Sequence, residues 1–308
     1  MQIQTLGRDR LRPVHAWLIV CAVCIGVTDT AFGKDDNDQA AQSTTPNIYL
    51  DIQTTYATVP GGAIGMGFGN ASLFSVLETI VLATGNTTPT VPTSRKLPTV
   101  HAVTVNVPLT VDLSDRVSVY GGVSVNANTM PLGGWTDVDI GSWNVGVQVD
   151  LYKQNGGMLP NISLQSTITQ SLPDGPLATI DFNNIIEFDY AFDEDRTRGL
   201  LFGLQDTRIV VQSPLAEVDP STVGYTGGYY QWPSNWKVSG RVGVQSFGSV
   251  QLLNRTLIQP FIQPIARLDL DRMDDNDNRL FGLIAQIQWV PKPSYQLTLR
   301  TPLYLTRN

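Results

Sequence analysis

The stretch His101-Ala-Val-Thr-Val-Asn-Val-Pro-Leu-Thr-Val-Asp-Leu113 alternates without a break. Val103, Val105, Val107, Leu109, Val111 and Leu113 share one side, while Ala102, Thr104, Asn106, Pro108, Thr110 and Asp112 share the other. Successive strand residues point to opposite faces, so a period of two makes a ribbon with one apolar and one polar side. Ser114-Asp115-Arg116 turns the chain, and Val117, Val119, Val123 and Val125 resume the apolar side against Ser118, Ser124 and Asn126. This is a hairpin.

Working outward, the same alternation returns through Trp143–Leu151, Ile162–Ile168, Ile180–Phe192, Leu200–Leu204, Trp236–Val244, Ile258–Leu270, Phe281–Trp289 and Tyr295–Leu305. With Ile48–Tyr56 and a strand through Gly61–Gly69, the pattern predicts about a dozen strands. Leu73, Val76, Leu77 and Ile80 fit helical spacing as well as strand spacing, which makes 73–82 a candidate short helix. Residues 212–234 read as a long loop with at most a strand around Tyr229. Neither a linker nor a short repeat interrupts the chain.

Of the 308 residues only 15% are charged, against 42% hydrophobic, and the net charge is −7. A disordered polymer pairs low hydrophobicity with high charge, and a phosphate-binding protein is usually basic, so both classes are excluded, nucleic-acid partners included. Arg8, Arg10 and Arg12 precede the apolar run Ala16–Val27, and Ala31-Phe32-Gly33 supplies small residues before Lys34. That order predicts a signal peptide over 1–33, since twelve apolar residues are too few to span a bilayer as a helix. A mobile polar tail is expected over 34–46, and the strand-bearing unit over 47–308. Both cysteines, Cys21 and Cys24, fall in the predicted leader, and removal of three Arg and two Asp with it leaves a net charge of −8.

Strands with one apolar and one polar face fit either a soluble sandwich or a transmembrane barrel whose apolar sides face lipid. Three features favour the barrel. Charged residues recur on the polar parity: Asp181, Glu187, Asp189, Lys237, Arg241, Arg267, Asp269 and Arg300, the candidate lumen-lining set. Charge is nearly absent from the apolar parity. Trp143, Tyr190, Phe192, Trp236, Trp289 and Tyr295 lie on the apolar side near strand ends, where an interfacial girdle requires amphipathic rings. The expected fold is an all-β, antiparallel, up-and-down transmembrane barrel of about twelve strands.

Trp143-Asn-Val-Gly-Val-Gln-Val-Asp-Leu-Tyr152, followed by Lys153-Gln-Asn-Gly-Gly-Met-Leu-Pro160 and Asn161-Ile-Ser-Leu164, resembles a hairpin of the phenol meta-cleavage-pathway outer-membrane proteins. More broadly, the export signal, alternating strands and short Gly/Asn/Pro turns resemble Gram-negative outer-membrane channel proteins. The resemblance implies a barrel that takes small, often aromatic or hydrophobic molecules across the outer membrane, with lipid and a small solute as its partners. The chain departs from the usual barrel ending, since Leu305-Thr306-Arg307-Asn308 stands in place of a terminal aromatic.

Sites of other chemistry are incomplete. Beyond the leader only His101 could serve a histidine mechanism, and no Gly-x-Ser-x-Gly elbow is present. In Gly61-Gly-Ala-Ile-Gly65-Met-Gly67-Phe-Gly69, Asn70 stands where a dinucleotide loop needs its third glycine. Asp274-Asp-Asn-Asp-Asn278 opens like a calcium loop, but Arg279 and Ala285 replace the required Gly and Glu. Zinc is disfavoured without cysteines. The expectation is a passive channel without cofactor. A plugged structural or adhesive barrel and a secreted soluble β-sandwich that binds ligand stand as the alternatives.

Overall fold

The computed structural model describes residues 46–59, 99–129, 134–155, 157–172, 178–213, 216–252, 255–275, 278–289 and 293–306. The expected leader, the tail up to residue 45, the Gly61–Gly69 strand and the 73–82 segment lie outside them.

Twelve antiparallel strands close a barrel. They are β1 (Asn47–Val59), β2 (Val100–Ser114), β3 (Val117–Asn128), β4 (Asp139–Tyr152), β5 (Asn161–Ser171), β6 (Thr179–Ala191), β7 (Arg198–Val211), β9 (Ser221–Gln231), β10 (Trp236–Phe247), β13 (Phe261–Met273), β14 (Arg279–Gln288) and β15 (Ser294–Thr306). Each barrel strand pairs with its neighbours in chain order, and β15 returns to β1 from Ile48↔Thr306 to Thr58↔Tyr295. Closure leaves no strand edge with unpaired backbone groups, the condition for a sheet in hydrocarbon. Three short strands, β8 (Ala216–Val218), β11 (Val250–Leu252) and β12 (Arg255–Ile258), form a separate small sheet.

Two expectations need correction. Residues 212–234 are not a loop, because β8 and β9 occupy most of them. Ile258 and Ile262 do not share a strand; the first ends β12 and the second lies in β13.

Connections differ at the two ends of the barrel. At one end lie the turns 115–116, 153–160, 192–197, 232–235 and 274–278; the other carries the longer links, including those that hold β8, β11 and β12. The short turns are tied by their own side chains. Asp193 accepts bonds from the Thr197 amide at 2.7 Å and hydroxyl at 2.5 Å, and Arg196 takes a φ of 52°. Asn235, at φ 60°, donates to Asp275 at 2.7 Å, and Asp274 accepts from the Asn278 amide at 2.8 Å. The acidic run that opens like a calcium loop is therefore, among the described residues, the tie of a hairpin.

Parity assigns the faces. On β7 Leu200, Phe202, Leu204 and Val210 are exposed, whereas Leu201, Gln205, Thr207 and Ile209 between them are buried. The exposed apolar side chains Leu109, Val145, Val242, Leu268, Leu283, Leu297 and Leu299 continue that belt around the outside. The outer belt is apolar and the inner face polar, the reverse of a soluble barrel. A small apolar cluster of Ile209, Val218, Phe247 and Val250, with Val211 and Phe261 against it, joins the small sheet to the wall. Phe247 and Phe261 stack there with centroids 5.2 Å apart.

Candidate functional site

The inner wall encloses a cavity of about 690 Å³. Its lining divides into two sides. On β1–β5 it is carried mainly by neutral hydrogen-bonding groups, among them Gln53, Asn106, Thr110, Tyr120, Asn144 and Gln148, together with the acids Asp51 and Asp112, the latter accepting from the Ser118 hydroxyl at 2.6 Å. Tyr120 shares its hydroxyl with Thr167 at 2.5 Å and accepts from Gln165 at 2.9 Å. Opposite, Glu187, Arg241 and Arg267 bring charge to the cavity.

That charged side is a chain of ion pairs. Arg241 on β10 reaches Glu187 on β6 at 3.2 Å and Asp269 on β13 at 3.3 Å. Arg267 closes on Asp269 at 2.8 Å, and Tyr225 on β9 donates to Glu187 at 2.7 Å. Further round, Arg300 on β15 reaches Asp271 at 2.7 Å, and Arg279 on β14 bridges Asp271 at 3.1 Å to Asp51 on β1 at 3.7 Å. Four acids and four arginines balance. Arg241–Asp269 and Arg279–Asp271 join neighbouring strands and Arg267–Asp269 lies along β13, whereas Arg241–Glu187, Arg300–Asp271 and Arg279–Asp51 reach over one or two intervening strands, which long arginine side chains can do across the curved inner wall.

Space for these long side chains is made by glycine. Tyr120, Tyr225 and Tyr229 lie across Gly146, Gly203 and Gly199 of the paired strands, where an added Cβ would sit 2.3, 2.2 and 2.6 Å from ring or hydroxyl atoms. A ring laid on a strand glycine replaces the missing side-chain packing and holds the Tyr225 hydroxyl at Glu187.

Of the eight candidate lumen residues, the structure joins Glu187, Arg241, Arg267 and Asp269 in one network and places Arg300 in the second. Asp181 is buried at the long-link end of β6, with Oδ1 unpaired. Asp189 and Lys237 lie near the short-turn end, where the Lys237 ammonium sits 4.9 Å from the Tyr229 ring centroid. Sequence reasoning did not put Asp51, Asp271, Arg279 or Tyr225 in the set. Asp271 shares the parity of Asp269 two residues earlier, a signal that was readable; Asp51 and Arg279 needed the register of β1, β14 and β15.

The six candidate girdle aromatics fall into two groups. Tyr190, Phe192 and Trp236 sit near the short turns, with Tyr190 and Phe192 edge-to-face at 5.8 Å and Trp236 against Phe281 at 5.6 Å. Trp143, Trp289 and Tyr295 lie toward the long links. Tyr56 joins them and stacks on His101, whose Nδ1 bonds the Tyr56 hydroxyl at 2.8 Å. The lone histidine among the described residues is thus held within β2 by a tyrosine of the neighbouring strand. The near-absence of charge on the outer face has an exception on β7, where Asp206 and Arg208 pair at 3.0 Å.

No protein-family model matches this sequence, and no curated protein matches it by sequence. Among solved structures, the chain is similar to the COG4313 outer membrane channel from Pseudomonas putida F1, with a TM-score of 0.54 and 11% identity over 88% of this chain and 100% of that one. It is also similar to the translocator domain of autotransporter NalP from Neisseria meningitidis, at TM-score 0.46 and 8% identity over 94% and 95% of the two chains. The outer membrane channel DcaP of Acinetobacter baumannii gives 0.31 and 10% over 84% and 97%. The fold is that of an outer-membrane β-barrel, closed by twelve strands.

Proposed function

We propose that the chain is a passive channel of the Gram-negative outer membrane for small, water-soluble molecules. The observation that carries this is the polar cavity of about 690 Å³ inside a wall whose outer belt is apolar. Amides and hydroxyls on the β1–β5 side offer replaceable partners to a hydrated solute, while the ion pairs cancel one another and leave little net field for one sign of ion. A hydrophobic or aromatic solute, the cargo that the family resemblance implies, would displace water from these groups without replacing its bonds, which costs free energy. The lining supports polar cargo better.

The test is conductance of the purified chain in a planar bilayer, with liposome swelling in small polyols. Discrete openings and swelling with cation-to-anion permeability near unity are expected. A second reading, the plugged structural barrel, is favoured by the deep burial of Gln245, Gln263 and Gln288 on the inner face toward the long links, with Gln263 at 0% exposure. Silence at every voltage together with no swelling would select it over the channel.

A further inference from the structure

A row of polar side chains crosses the outer belt where lipid contact would demand apolar ones. Ser166 on β5, Asn184 on β6, Asp206 on β7, Thr222 on β9 and Ser246 on β10 are direct cross-strand partners in succession. All five share the outward parity, and Arg208 stands two residues beyond Asp206 on the same face. On β5, β6 and β7 apolar outward residues continue on both sides of the row: Leu164 and Ile168, Phe182 and Ile186, Leu204 and Val210. On these three strands the row therefore lies inside the belt, and on β9 and β10 it reaches the strand ends at Thr222 and Ser246. Its members use what partners the wall offers: Ser166 donates to Asn184 at 2.7 Å, and Asp206 pairs with Arg208. Even so, the Arg208 side chain stays 68% exposed. An exposed guanidinium within the apolar belt is costly, and ionisable groups at such depth mark a functional contact.

Beside the row the wall is thin. From 222 to 228 the outward positions of β9 are Thr222, Gly224, Thr226 and Gly228, so a trough, ended by the exposed Tyr230, runs between the exposed Leu200, Phe202 and Leu204 of β7 and the exposed Val242 and Val244 of β10. A Cβ built on Gly224 would meet only Leu204 Cδ2, at 3.6 Å. Ridge and trough lie on adjacent strands, as do acid and base on one strand. That is the arrangement a two-fold contact needs, because the same patch must complement itself. Rotation about an axis between β7 and β9 sets each copy's leucine–phenylalanine ridge into the other's trough and brings each Asp206 toward the Arg208 of the second copy.

We propose that this outer face of β5–β10 is the contact between two copies of the barrel in the plane of the membrane. The proposal rests on the transmembrane reading of the fold but not on conductance. A dimer that does not conduct would end the channel reading alone, whereas a conducting monomer would end this one.

The test places a photoreactive amino acid at Thr226 in the full chain in native outer membrane, with the exposed Leu297 four strands round the barrel as control. Illumination is expected to give a species of twice the mass from position 226 and none from 297. Replacing Asp206 and Arg208 together by Leu should lower the yield of that species at least tenfold while the barrel keeps its heat-modifiable gel mobility. Should that variant not fold, Gly224→Leu fills the trough, leaves the ion pair, and is expected to have the same effect. An adduct at 226 with lipid or a different protein, no adduct there, or a yield unchanged in both variants overturns the proposal.

Discussion

Arg241 sits between two carboxylates from different strands, so it is the residue whose loss the inner wall will register most. Its side chain is 18% exposed, and Glu187 and Asp269 have been arranged around it. Removing one partner of a largely buried pair leaves the other charge uncompensated, at a cost of about 3–5 kcal/mol where burial is full and less in a wet lumen. Arg241→Met is expected to lower the thermal midpoint of the detergent-folded barrel and to move the reversal potential toward cation selectivity, because the remaining network carries excess negative charge. Asp269→Asn should move the reversal potential the opposite way. Two substitutions that shift it in the same direction would show that the network does not set the field in the lumen. Gly203→Val tests the same wall from its packing: the new side chain displaces the Tyr225 ring and with it the hydroxyl on Glu187, so stability should fall although no charge has changed.

At the scale of elements, the β6–β7 turn joins backbone geometry to pH. The Thr197 hydroxyl, hydrogen-bonded to Asp193, holds that carboxyl below its ordinary range, with the Thr197 and Arg198 amides and the Arg198 charge adding to it. A carboxyl with a depressed folded-state pKa stabilises above its unfolded value of 3.8, and that contribution fades as pH falls toward the folded one. Asp193→Asn is therefore expected to flatten the loss of stability below about pH 4, read as urea midpoints across pH. Arg196 holds a left-handed φ of 52°, so Arg196→Gly should raise stability by about 1 kcal/mol. The strands themselves were largely legible in sequence because one face is apolar and the other polar. β9 was not: Val223, Tyr225 and Tyr229 point inward, while Thr222, Gly224, Thr226 and Gly228 point outward, so the alternation that marks every other wall strand is inverted. The half of the site that parity alone determines was readable, as for Glu187, Arg241 and Asp269. What depended on register, the reach of Arg279 to Asp51, was not.

For the molecule as a whole, stability follows from closure more than from a core. The described residues hold only small buried apolar clusters, and the ends of the barrel are joined by a ladder comparable in length to those within the wall, β1 with β15 from Ile48↔Thr306 to Thr58↔Tyr295. Taking away a wall strand exposes two edges at once, and in hydrocarbon the unpaired amides and carbonyls find no water. Deleting residues 294–306 should therefore abolish the compact, heat-modifiable form in detergent altogether, not merely weaken it. Deleting the β11–β12 hairpin, 250–258, with a short Gly-Ser bridge from Ser249 to Gln259, removes no wall strand and breaks no barrel pairing. It should keep that form and lose only the stabilisation of the cluster around Phe247 and Val250. The contrast separates two accounts of this barrel by gel mobility alone. If the small sheet were a folding nucleus, the hairpin deletion would fail as completely as the loss of β15; if closure is what stabilises the wall, only the loss of β15 will.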